Sequence, residues 1–131
     1  ICSKSKISWL LPPQQISIPL VEHITRLYKE IYQFGKKISK RDRFGLLAKI
    51  ENFCLSCLEL GLEATFAKPQ NKSLILDKLQ IKIEILKRFF RLSWDLKIIE
   101  QAKYLAFETQ LQTISKMTTG WLKYLDQKSR N

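Results

Sequence analysis

The chain has 131 residues, enough for one domain, and its 45% apolar and 27% charged residues are typical of a folded globular protein. Lysine and arginine number 23 against 12 acidic residues, so the net charge of +11 indicates a polyanionic partner, with nucleic acid favoured over an anionic membrane surface. A single histidine excludes a histidine metal cage and disfavours histidine-dependent catalysis.

The chain begins with a segment that lacks helical periodicity. Residues 1–17 contain two adjacent prolines and are predicted to form a flexible N-terminal arm. The first helix is predicted to start with Ser17 as its N-cap and Pro19 in its first turn, where a missing N–H has no consequence. Apolar residues then recur in steps of three and four, as on a buried helix face, at Leu20, Ile24, Leu27, Ile31, Phe34 and Ile38.

A strongly basic segment connects this helix to the next. Within the eight residues 36–43, which we name the basic turn, five are basic: Lys36, Lys37, Lys40, Arg41 and Arg43. The second helix is predicted from about Asp42 to Ala67, where Pro69 stops it. Its inner face is predicted to consist of Phe44, Leu47, Ile50, Cys54, Cys57 or Leu58, and Leu62.

The cysteines bear on the redox compartment and on metal binding. Cys54 and Cys57 form a C-x-x-C pair, but they lie inside a helical pattern without a nearby histidine. Burial as small apolar residues is therefore the favoured interpretation, and a redox or metal site is the alternative. Because three cysteines cannot close a disulfide framework, we expect a cytoplasmic protein.

The third helix, predicted to begin with Ser73 as its N-cap, is apolar on two sides. One seam, which suits the bundle core, contains Leu76, Leu79, Ile83, Leu86, Phe90 and Trp94. The second seam contains Ile81, Ile85, Phe89, Leu92, Leu96 and Ile99. The two seams point roughly 150° apart around the helix, so each must be buried against a different apolar surface. The second seam, from Ile81 to Leu96, is therefore predicted to contact another subunit.

The fourth helix is predicted from about Glu100 to Asp126, followed by a frayed basic tail at residues 127–131. Its apolar seam contains Tyr104, Phe107, Leu111, Ile114, Thr118, Trp121 and Leu125. Long helices joined by short connections predict an all-α fold, a single-domain up-down-up-down four-helix bundle over residues 18–126. No apolar run reaches the roughly 18–20 residues that span a bilayer, so no membrane association is expected.

The motifs that usually carry catalysis are missing from the sequence. It contains no phosphate-binding glycine loop, no nucleophile elbow and no Glu-x-x-His pair, so we expect a non-enzymatic protein without cofactor or metal. The candidate nucleic-acid-binding residues are the basic turn together with Lys87, Arg88 and Arg91 on the polar strip of the third helix. Without a base-reading module, binding should follow shape and charge.

Four stretches of the sequence together resemble a known family. They are residues 38–45 (ISKRDRFG), 59–67 (ELGLEATFA), 89–97 (FFRLSWDLK) and 114–122 (ISKMTTGWL). From residue 18 to about residue 125, the chain resembles the accessory variability determinant proteins of diversity-generating retroelements, four-helix bundles related to proteins encoded in 23S ribosomal RNA intervening sequences. Lys40, Arg41 and Arg43 match the family's positive surface residue by residue, whereas Arg88 and Arg91 fit it more loosely.

The resemblance implies a specific role. Proteins of this family form ring-shaped homopentamers that bind RNA and DNA and associate with the reverse transcriptase of the retroelement. They support copying of the template-repeat RNA into mutagenised cDNA without being polymerases. Two alternatives stay open: an intervening-sequence protein of the same fold with possible RNA binding, and a structural scaffold for a protein partner whose charge only maintains solubility.

Overall fold

The computed structural model describes the backbone of residues 12–130 and the side chains of residues 17–128. It contains four long helices and one short one: α1 (Pro12–Gly35), the single-turn α2 (Lys40–Phe44), α3 (Leu46–Phe66), α4 (Pro69–Asp95) and α5 (Gln101–Arg130). Each long helix packs against the next one, and α1 packs against α5 to close the bundle. The predicted all-α class and four-helix bundle are confirmed, and residues 12–130 contain no strand.

The core follows the predicted seams closely. The seam of α1 is fully buried from Leu20 to Ile31, and the first seam of α4 is fully buried from Leu76 to Phe90. Phe107 and Trp121 of α5 complete this core. Burial of each large apolar side chain contributes about 1.5–3 kcal/mol, so these faces hold the helices together.

The ends of α1 and α5 differ from the prediction. Helix α1 begins at Pro12 instead of just after Ser17, so Pro19 lies inside the helix. A proline in the first turn removes no intrahelical hydrogen bond, which makes the pair at positions 12 and 13 compatible with a helix start. Helix α5 continues to Arg130, beyond the predicted end at Asp126. Residues 1–11 of the predicted arm and residue 131 of the predicted tail lie outside the described residues.

The basic turn is more ordered than a plain connection. Its second half forms α2, which Ser39 caps by accepting a hydrogen bond from the Asp42 N–H at 3.5 Å. Gly45 then separates α2 from α3, and a Cβ atom there would lie 3.0 Å from the Arg41 carbonyl oxygen. Because of this break, Phe44 does not continue the face of α3, and the prediction that it is buried is wrong: its side chain is 73% exposed.

One further prediction for α3 needs correction. Leu62 is 41% exposed, because Gly61 and Ala64 occupy the inner face there instead. A Cβ atom on Gly61 would lie 3.5 Å from the Val21 side chain, which shows how closely α1 approaches. By contrast, the predicted burial of Cys54 and Cys57 is confirmed, and both are free thiols.

The boundaries of α4 also differ from those expected. The helix begins at Pro69, four residues before the predicted N-cap Ser73, because a proline that ends one helix can equally start the next at its first position. At its other end, Lys97 adopts the left-handed conformation with φ of 62°. The chain therefore turns back, and Ile99, which was predicted on the second seam, enters the bundle core.

Candidate nucleic-acid interface

The bundle topology brings several basic segments to one end. The basic turn joins α1 to α3 there, and the connection between α4 and α5 lies beside it: Lys37 and Ile38 share a groove with Ile98 and Lys103. We name this the basic end; it contains the five cations of the basic turn together with Lys97 and Lys103. Because the long helices alternate in direction, cations that are distant in sequence lie at the same end of the bundle. Together they create one region of positive electrostatic potential.

The five basic-turn residues are well placed to meet a polyanion. Lys36, Lys37, Lys40 and Arg41 are exposed, and Arg43 is half-buried. Neither of the two ion pairs found among the described residues involves any of the five. Their charges are therefore not neutralised by a close carboxylate within an ion pair, and several phosphates could exchange their counterions for them.

The three basic residues predicted on the polar strip of α4 form a separate group. The Lys87 ammonium lies 3.1 Å from a Glu84 carboxylate oxygen. The Arg91 guanidinium lies 3.4 Å from an Asp95 oxygen and covers the Trp94 ring at 5.0 Å. Arg88 is exposed, but its two neighbours already have local partners. The basic turn is consequently the stronger candidate for phosphate binding.

A second basic surface was missed by the sequence analysis. A groove of about 680 Å³ runs between α1 and α5 at the basic end, and the cations that line it are Arg26, Lys29, Lys37 and Lys103. Glu30 and Glu100 also line it, and the Gln110 side chain donates a hydrogen bond to Glu30. Positions 26, 29 and 33 follow helical spacing on α1, so this stripe could have been found, but the contribution of α5 could not.

The predicted second seam is largely exposed on the isolated subunit. Ile81 is 61%, Leu96 59%, Leu92 42% and Ile85 36% exposed. With Leu74, which is 65% exposed, these residues recur in steps of seven and four along one stripe, which we name the outer α4 face. Phe89 differs from them: it is half-buried, and its ring meets Phe53 of α3 edge-on at a centroid distance of 5.2 Å.

The described part of the chain has neither a cluster of metal ligands nor a helix suited to span a membrane. Residues 17–128 contain no group of three or more His, Cys, Asp or Glu side chains close enough to hold a metal ion. None of the helices seen in the structure combines the length and the apolar character that crossing a bilayer requires.

Comparison with known proteins identifies one family. The family model described as bAvd-like matches residues 18–125, a range that runs from the first half of α1 to the last turns of α5. No curated protein and no solved structure matches the chain. The matched range includes the basic turn and the whole outer α4 face.

Proposed function

The chain belongs to the bAvd-like family, and from this premise we propose that it is a non-enzymatic, nucleic-acid-binding accessory protein of a diversity-generating retroelement. In this role it binds the reverse transcriptase and the template-repeat RNA in the cytoplasm and supports mutagenic cDNA synthesis. A wider grouping with the 23S ribosomal RNA intervening-sequence proteins is compatible with the same match.

The observation that carries the nucleic-acid part of this proposal is the basic turn. It places five cations within eight residues, four of them exposed, on and beside a short capped helix at one end of the bundle. Binding to phosphates releases condensed counterions, which supplies affinity without reading the base sequence. Both RNA and DNA are therefore expected ligands.

The oligomeric part of the proposal is supported by the outer α4 face. Five large apolar side chains form one exposed stripe along this helix, and a stripe of this kind marks an interaction surface on a soluble subunit. We propose that a second copy of the chain covers it, within the homopentameric ring that the family resemblance implies. Such a ring would repeat the basic end and multiply weak phosphate contacts through effective concentration.

We expect Lys40→Glu, Arg41→Glu and Arg43→Glu together to weaken binding to all RNA and DNA sequences alike. The logarithmic dependence of affinity on salt should also become shallower, by about 0.9 for each lost phosphate contact on duplex DNA and about 0.7 on single strands. Filter-binding titrations at several salt concentrations measure both effects. Helicity by circular dichroism and particle size should stay unchanged.

A charge-matched control separates a site from overall charge. Lys116, Lys123 and Lys128 are exposed on the second half of α5, away from the basic end, and changing all three to Glu alters the net charge equally. We expect this variant to retain most of the affinity. Equal losses in the two triple variants would show that net charge alone drives binding, and unchanged affinity in the first would remove the basic turn from the site.

A further inference from the structure

A small cleft lies at the basic end, between α1, α2 and the start of α3. It has a volume of about 370 Å³, and we name it the aromatic cleft; its lining residues are Tyr32, Gly35, Lys36, Arg43, Phe44, Ala48 and Glu51. Two of the five basic-turn cations, Lys36 and Arg43, line it, so a ligand bound to the basic turn lies close to this cleft.

Two aromatic rings that line the cleft are largely exposed to solvent. Phe44 is 73% exposed and Tyr32 is 50% exposed. The Arg43 guanidinium lies 5.5 Å from the Phe44 ring centroid, and the Lys36 ammonium lies 5.4 Å from that of Tyr32. Exposed aromatic rings interleaved with cations are the arrangement by which proteins bind unpaired nucleic acid, because bases stack on rings while cations follow the phosphates.

The distribution of charge within the cleft favours a base over a phosphate. Glu51 is half-buried in the lining, and its burial raises the pKa of its carboxyl group while Arg43 opposes that rise. A carboxyl group at this position repels a phosphate but accepts hydrogen bonds from the N–H groups of a base. The cations Lys36 and Arg43 line the same cleft, where they can contact the phosphates that flank an inserted base.

We propose that the aromatic cleft holds one unpaired nucleobase of a single-stranded nucleic acid, stacked against Phe44 and Tyr32. The phosphates on either side of that base contact Lys36, Lys40 and Arg43. This inference rests on the proposed function of the basic turn and adds a preference for unpaired segments over duplex. A protein ligand is disfavoured because lysine and glutamate are depleted at the centres of protein interfaces, whereas Lys36 and Glu51 both line this cleft.

The experiment removes the rings and keeps every cation. We compare the wild-type chain with the Tyr32→Ala, Phe44→Ala double variant, using a fluorescein-labelled oligouridylate of about 12 nucleotides and an RNA duplex of the same length. Base stacking on protein rings predicts a loss of about five- to hundredfold on the single strand and little change on the duplex. The dependence of affinity on salt should stay the same, because no phosphate contact is lost.

Phe66 provides a matched control, because its ring is 83% exposed at the opposite end of the bundle. Phe66→Ala should leave both affinities unchanged. A Phe44→Trp variant preserves stacking and reports on it directly, since its added fluorescence should be quenched by oligouridylate and not by duplex. If circular dichroism shows that the double variant is unfolded, the quenching of Phe44→Trp alone decides whether a base stacks at this position.

The possible outcomes distinguish this inference from the function on which it rests. If the double variant binds oligouridylate as tightly as the wild type while the basic-turn triple variant does not, the inference is overturned and the proposed function stands. If the wild-type chain binds neither oligouridylate nor the duplex, the proposed function itself fails. If the double variant retains RNA affinity but loses the reverse transcriptase, the rings are a protein-docking surface and the inference is overturned.

Discussion

At the scale of single residues, burial lowers the reactivity expected of the thiols of Cys54 and Cys57. Both thiols are buried in the core, and desolvation raises both pKa values, that of Cys57 to about 12. A thiol reacts through its thiolate, so neither side chain can react readily in the folded protein. The structure thus supports burial as the interpretation of this C-x-x-C pair.

These pKa shifts predict how stability depends on pH. The thiols remain protonated in the folded chain, whereas in the unfolded chain they lose protons above about pH 8.5. The stabilisation from Cys54 and Cys57 is thus complete below that pH and should decline as the pH rises towards their folded pKa values. The third cysteine of the sequence is Cys2, and a Cys2→Ser variant keeps only the thiols of Cys54 and Cys57. Urea unfolding of this variant between about pH 7.5 and pH 10 measures the decline.

A thiol reagent supplies the companion test. In the same Cys2→Ser variant, native protein at about pH 8 should react slowly, and both thiols should react at once after unfolding in urea. Fast reaction of either thiol in the native state would contradict the burial of Cys54 and Cys57 in the bundle core.

At the scale of elements, Lys72 links the end of α3 to the start of α4. Its ammonium group donates to the carbonyl oxygens of Ala64 at 2.6 Å and Thr65 at 3.1 Å. These carbonyls belong to the last turn of α3, which has no basic residue of its own. A cation at a helix C-terminus donates hydrogen bonds to the free carbonyl oxygens and interacts favourably with the helix dipole. Lys72, a residue of α4, therefore caps the C-terminus of α3.

We expect Lys72→Met to destabilise the bundle by about 1–3 kcal/mol, because it preserves the apolar stem and leaves the buried Ala64 carbonyl and the half-buried Thr65 carbonyl without their donor. Burial also lowers the pKa of Lys72, so part of the loss is offset by removing a desolvated charge. Lys68→Met, at an exposed position beside it, is the control and should change stability little. Denaturant unfolding compares the two, and equal stability would show that the cap contributes nothing.

At the scale of the whole molecule, the outer α4 face leads to a prediction about assembly. We expect a particle larger than the 15.5 kDa subunit in light scattering at micromolar concentration. Changing Ile81 and Leu96 together to Asp should dissociate it, because a buried carboxylate without a partner is strongly unfavourable. Both side chains are more than half exposed on the subunit, so its helicity should survive.

Leu105→Asp is the matched control for this assembly test. Leu105 is a 50% exposed apolar residue on α5, and it lies outside the outer α4 face. We expect this variant to keep the size of the wild-type particle. A wild-type monomer, or dissociation by Leu105→Asp as well, would contradict the assignment. Phe89→Asp is a less suitable probe because Phe89 packs against Phe53 within the subunit.

The sequence by itself determined the all-α class, the seams that form the core and the cluster of charge in the basic turn. It could do so because these features are local: a helix places residues three and four positions apart on one face. The seam from Leu20 to Ile31 needed no knowledge of its neighbours to be recognised as buried. The family resemblance likewise rested on four short contiguous stretches of the sequence.

Only the tertiary structure decided which distant residues meet and where a seam is interrupted. The break at Gly45 turned Phe44 outward, and the reversal at Lys97 carried Ile99 into the core. The groove that joins Arg26 to Lys103 depends on the packing of α1 against α5, the first and the last of the described helices. Such contacts follow from the packing of whole helices, which periodicity along one helix does not specify.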